Sequence, residues 1–151
     1  MPPPETWGPP IWRFFHTLAE KIKEDQYDKI SLTLLSFIRR ICSYLPCPDC
    51  SKHAVHFLNQ LKPENYKTKT DFKTLFYMLH NKVNSRKKKP LFNHSYLEQY
   101  SKMNLINTYN RFISVYNTKG NMSLLTESFQ RTLIIKDFKR WFLQNINCFE
   151  R

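Results

Sequence analysis

Apolar residues recur at helical spacing along almost the whole chain, separated by short polar breaks, and this pattern confines the fold to packed helices. Trp12, Phe15, His16, Ala19 and Ile22 mark a first helix over residues 12–23, after the Pro9-Pro10 punctuation. Ile30, Leu34, Phe37, Ile38 and Ile41 mark a second over residues 30–44, which Pro46 stops. A third starts at Cys47 or Pro48 and runs through Ala54, Val55, Phe57, Leu58 and Leu61 to Pro63. Phe72, Leu75, Phe76, Leu79 and Val83 define a fourth over residues 71–84, followed by a basic turn over residues 85–90 and a short helix near residues 95–103. Two more helices, over residues 105–116 and 134–146, flank a polar connection around residues 117–123. There is no internal repeat and no run of alternating strands. The expected fold class is all-α.

Two glycines, Gly8 and Gly120, are too few for the glycine-rich loops that cradle nucleotides in doubly wound folds. A nucleotide cofactor would have to be held by side chains and helix faces. The formal charge is +12, from 24 Lys and Arg against 12 Asp and Glu. Such a surface attracts nucleic acid, anionic membranes or acidic partners without choosing among them, and no base-reading motif accompanies it. The opening residues lack the basic segment and apolar run of a signal peptide, and no stretch approaches the roughly 18 apolar residues of a membrane helix. The expectation is a protein that does not engage a membrane and does not require nucleic acid.

Cys47-Pro48-Asp49-Cys50 is the sharpest chemical motif. Two intervening residues let the thiols close a small disulfide ring or share a metal. Pro48 suits the first position of a helix, which puts Cys50 in the first turn, where free N–H groups and the helix dipole favour a thiolate. Zinc deserves comparison, because His53 and His56 follow at the same interval. Along a helix, however, the nine residues from Cys47 to His56 turn through roughly 900° and rise about 13.5 Å, so the two ends point apart. Thioredoxin-like chemistry would place the motif after a strand, and here a helix precedes it.

Trp12 and His16 share one helix face, four residues apart. His80 and Asn84 repeat that spacing, with Asn81 and Val83 alongside. Each pair alone fits core packing; together they can also sandwich and hydrogen-bond an aromatic heterocycle. The order Trp7-Gly8, Trp12-x-x-x-His16, Pro46-Cys47-x-x-Cys50, His80-Asn81-x-Val83-Asn84 and Lys89-Pro90-x-Phe92 resembles the Erv/Alr family of FAD-linked sulfhydryl oxidases, over roughly residues 7–100. It looks closest to the small forms encoded by large cytoplasmic DNA viruses.

That resemblance implies a four-helix bundle with a short fifth helix over residues 1–103, with residues 104–151 as a C-terminal helical extension. It also implies a non-covalent FAD and a homodimer. Trp12, His16, His80, Asn81 and Asn84 would hold the adenine and ribose, Val83 would line the cofactor, and Lys89 with Arg86 would face the pyrophosphate. Lys87 and Lys88 still read as a solvated turn. Protein dithiols would be the substrates. Cys47 would face the substrate and Cys50 the flavin, and dioxygen would accept the electrons to give hydrogen peroxide.

The chain departs from the pattern in places. Lys88 stands where many relatives carry glycine, so the phosphate turn is expected to differ. The structural disulfide found after the flavin motif in many cellular members has no cysteines here, and no shuttle cysteine precedes Cys42. Cys42 reads as a buried apolar thiol, while Cys148 is a candidate shuttle if the tail is mobile. The expected location is host cytoplasm or virion for a viral protein, with the mitochondrial intermembrane space as the alternative. The competing function is a basic nucleic-acid-binding or virion interaction protein whose cysteines are structural.

Overall fold

The computed structural model describes residues 4–117 and 125–151. The fold is all-α. In chain order its helices are α1 (Pro4–Lys21), α2 (Tyr27–Ser43), α3 (Pro48–Asn59), α4 (Lys69–Arg86), α5 (Leu105–Tyr116) and α6 (Leu125–Gln144). Short 3-10 helices occupy Glu24–Gln26, Pro63–Tyr66, His94–Lys102 and Ile146–Cys148. Among the described residues the sole extended pairing is an isolated antiparallel bridge between Ile22 and Phe149.

Several boundaries differ from the expected ones. Helix α1 does not wait for Pro9-Pro10 but carries both inside it. Both stand past the first turn, so each gives up the hydrogen bond its N–H would make four residues back, to Glu5 and Thr6, and the packing of the helix offsets that cost. Trp7, only 5% exposed and packed in the core, anchors that first turn. Helix α2 begins at Tyr27, whose buried ring sends its hydroxyl to the Tyr66 carbonyl at 2.6 Å. Helix α3 stops at Asn59, short of Pro63. Thr68 and Asp71 close a reciprocal capping box at the start of α4.

The segment after the basic turn is a 3-10 helix, opened by the Asn93 side chain accepting from Ser95 N–H. Helix α6 starts well before residue 134. Its first half hid from the apolar pattern because Ser128 and Arg131 are buried polar residues while Phe129 is exposed. Residues 118–123 of the expected polar connection lie outside the described residues.

The core centres on α1. Phe14, fully buried, stacks on Phe112 of α5 with centroids 4.8 Å apart and meets Phe138 and Phe142 of α6 edge-on. Its neighbour Phe15 leans on Phe76 of α4. Phe37 of α2 packs against Phe138 and Trp141. Burying one such ring contributes about 1.5–3 kcal/mol, so α5 and α6 share the core of the first four helices. Among the described residues no helix is long and apolar enough to cross a membrane.

Candidate active site

Cys47 and Cys50 form a disulfide. Cys47 is extended and caps α3, with Pro48 in the first turn behind it, and its sulfur accepts the Cys50 N–H at 3.2 Å. Ser51 N–H donates to the Cys47 carbonyl at 3.0 Å, and the Ser51 hydroxyl accepts from Leu45 N–H at 2.8 Å. The loop between α2 and α3 is therefore stitched on both sides of the sulfur pair. Its position at a helix N-terminus favours thiolate over thiol once the bond is reduced.

A cavity of about 380 Å³ opens against Cys50, a size usual for a small-molecule or cofactor site. Trp12, His80, Val83, Asn84, Arg86 and Lys89 line it, whereas Cys47 lies off its wall. The two sulfurs thus have different outlooks. Arg86 also pairs with Asp49, inside the Cys-x-x-Cys motif, at 3.0 Å.

One wall is an aromatic stack. Trp12 lies on His80 with centroids 4.2 Å apart and planes 9° from parallel. Behind it, His16 Nε2 meets His80 Nδ1 at 3.0 Å, and Tyr100 covers His16 at 4.8 Å. Burial pushes His16 down to about 3, helped by His80, and burial with the nearby Lys89 pushes His80 down to about 4. Both rings are neutral at pH 7, so one donates to the other. His16 and Asn81 are not on the cavity wall. His16 backs His80, while Asn81 grips the Phe92 backbone, its Nδ2 donating to the carbonyl at 3.0 Å and its Oδ1 accepting the N–H.

Some site features escaped the sequence reading. Lys87, read as solvated, lines the cavity, and its ammonium is held below its usual range by burial and by Lys89 and Arg86. Lys88 turns away in the left-handed region at φ 57. Tyr100 also lines the cavity, and burial raises its hydroxyl to about 12. Cys42 reaches the floor as a buried thiol pushed up to about 12. Only the helical phase of Tyr100 or Cys42 could have hinted at these places.

Cys148 sits elsewhere. It is 4% exposed, its sulfur faces Gln26 Oε1 at 3.6 Å, and Lys23 N–H binds its carbonyl at 2.9 Å. A thiol so held meets a substrate only after the tail undocks. His53 and His56 lie on the exposed side of α3, beside Asp49 and Gln60 respectively.

A protein of Invertebrate iridescent virus 6 named as an FAD-linked sulfhydryl oxidase is 30% identical over 94 residues, covering 58% of this chain and 85% of its own. The FAD-linked sulfhydryl oxidase of African swine fever virus (isolate Tick/Malawi/Lil 20-1/1983) is 28% identical over 102 residues, 68% of this chain and 85% of the relative. The FAD-linked sulfhydryl oxidase ERV2 of Saccharomyces cerevisiae is 31% identical over 89 residues, 56% of this chain and 43% of that protein. No solved structure matches the chain significantly. The model of the Erv1/Alr family matches residues 9–104, the span that carries the disulfide, the aromatic stack and the basic rim, and the chain belongs to that family.

Proposed function

We propose that the chain is an FAD-dependent sulfhydryl oxidase that makes disulfides in protein substrates through Cys47 and Cys50. The observation that carries this reading is that Cys50 shares a cavity wall with the Trp12–His80 stack and the basic rim. These residues fit FAD. The stack offers a flat face to adenine, Asn84 offers an amide to the ribose and ring edges, and Val83 offers an apolar surface. Arg86 and Lys89 supply cations for the pyrophosphate. His16 and Asn81 serve the same site from behind, as supports of His80 and Phe92.

A substrate thiolate attacks the Cys47 sulfur, forming a mixed disulfide and breaking the Cys47–Cys50 bond. Cys50 leaves as a thiolate, stabilised in the first turn of α3. A second substrate thiolate attacks the substrate sulfur of the mixed disulfide, closing the product disulfide and releasing Cys47. Two electrons have then moved from substrate to the Cys47/Cys50 pair. FAD held by these residues would supply the two-electron redox chemistry that links the reduced pair to dioxygen, with hydrogen peroxide as the product. Loss of the pair's electrons restores the disulfide, and Leu45, Ser51 and the α3 N-terminus hold the two cysteines close enough for the bond to re-form.

Residues 1–103 are the oxidase unit in this reading, and residues 104–151 complete its core. The family resemblance supports a homodimer, and the viral relatives support a viral protein acting in host cytoplasm or virion. The test is the visible spectrum of FAD-loaded protein with oxygen uptake on a dithiol. The expected result is a flavin spectrum, peroxide produced with each disulfide, and loss of turnover in Cys50→Ser. Full turnover in Cys50→Ser would overturn the electron path.

A further inference from the structure

The C-terminal end of α2 is where backbone carbonyls run out of helical partners and where the negative pole of the helix dipole lies. The redox loop begins there, since Tyr44 follows the helix and Cys47 is three positions on. Two side chains from outside the family-matched span fill that end. The Tyr116 hydroxyl, at the end of α5, donates to the Ile41 carbonyl at 2.9 Å in a fully buried contact. Arg131 of α6 donates from Nη1 to the Tyr44 carbonyl at 3.3 Å. A third tie, Arg40 to Asp137 at 3.0 Å, fastens the same turn from the surface.

Arg131 is 1% exposed. Desolvating a guanidinium costs several kcal/mol, and an apolar side chain would fill the volume without that cost. At Tyr44 the guanidinium places a directed donor and a positive charge where α2 presents carbonyls. Directly past the Tyr44 carbonyl, Leu45 N–H binds the Ser51 hydroxyl, and Ser51 N–H binds the Cys47 carbonyl. An unbroken series of bonded groups therefore runs from α5 and α6 to the sulfur pair.

We propose that Tyr116 and Arg131 are positioning residues of the oxidase, through which the C-terminal extension sets the geometry of the Cys47/Cys50 loop. This inference rests on the Cys47/Cys50 reading above. The extension would then govern how readily the disulfide re-forms, by fixing the loop's entry at Tyr44 while neither side chain touches substrate or cofactor.

The experiment uses the full FAD-loaded chain as Tyr116→Phe, Arg131→Met and Arg131→Lys. The anaerobic equilibrium of the Cys47/Cys50 pair with glutathione is read by thiol trapping and mass spectrometry, alongside steady-state kinetics and the thermal midpoint. Tyr116→Phe removes a single oxygen and keeps the volume, so it remains informative if Arg131→Met fails to fold. The expected result is a shift of at least threefold toward the dithiol in Tyr116→Phe and in Arg131→Met. kcat should fall at least threefold with KM for a small dithiol within twofold, and Arg131→Lys should recover part of the loss. Lower thermal midpoints with the glutathione equilibrium and kcat unchanged would overturn the proposal and leave the two residues as packing. Cys50→Ser separates the cases: if it is inactive while Tyr116→Phe matches the parent, only the positioning role fails.

Discussion

Trp12 and His80, from α1 and α4, lie in direct face contact at 4.2 Å, and no third ring fits between them. A planar ligand must therefore stack on the outside of the pair. Replacing a stacking ring by alanine costs about 1–3 kcal/mol for a bound base. Trp12→Ala should thus weaken FAD binding by roughly five- to 150-fold. Titrating FAD into the apoprotein and following quenching of flavin fluorescence would measure this; unchanged affinity would remove Trp12 from the site.

The His16–His80 pair gives a pH signature. Both folded-state values, about 3 and about 4, lie below the ordinary value of 6.5, so the unfolded chain binds protons first as pH falls. Stability from keeping these rings neutral is complete above about pH 6.5 and is lost progressively as pH falls towards the folded values. The thermal midpoint should fall across that window. A His80→Gln variant should flatten the slope over the same range.

Lys88 offers a backbone prediction. A left-handed residue with a side chain costs about 1–2 kcal/mol, while glycine adds unfolded-state freedom worth about 0.4–1 kcal/mol. Lys88→Gly should therefore stabilise the protein by about 0.5–1 kcal/mol in urea unfolding. Lys88→Val should destabilise it, since a β-branched residue tolerates φ 57 poorly.

Burial of the remaining thiols predicts their reactivity. Cys42 and Cys148 should resist alkylation by iodoacetamide in the native state and react in denaturant, because Cys42 is held up at about 12 and both are buried. Cys148→Ser should keep full turnover on a small dithiol. Fast native labelling of Cys148 would mean that its tail undocks readily.

The helix pattern and the site motifs were legible because they are local. Trp12, His16, His80 and Asn84 declare themselves by a spacing of four, and Cys47 and Cys50 by two intervening residues. What stayed hidden depends on groups distant in sequence. Arg131 reads as a surface charge in a polar stretch, and nothing local connects it to Tyr44, 87 residues away. Pro9 and Pro10 suggested a helix boundary, yet the core contact of Trp7 carried α1 through them. The motif proposes Asn81 for the cofactor, whereas its grip on the Phe92 backbone depends on how the basic turn folds back.

The cavity draws its lining from α1, α2, α3 and α4 and from the 3-10 segment that carries Tyr100. A ligand that needs all of these at once binds the assembled fold and not its parts, so it lends the fold its binding free energy. Yellow colour then becomes a gauge of tertiary order. A variant whose helices persist but no longer dock would lose its flavin on desalting while its circular dichroism stayed helical, and the flavin retained per protein after gel filtration could rank a whole mutant library by the integrity of its core.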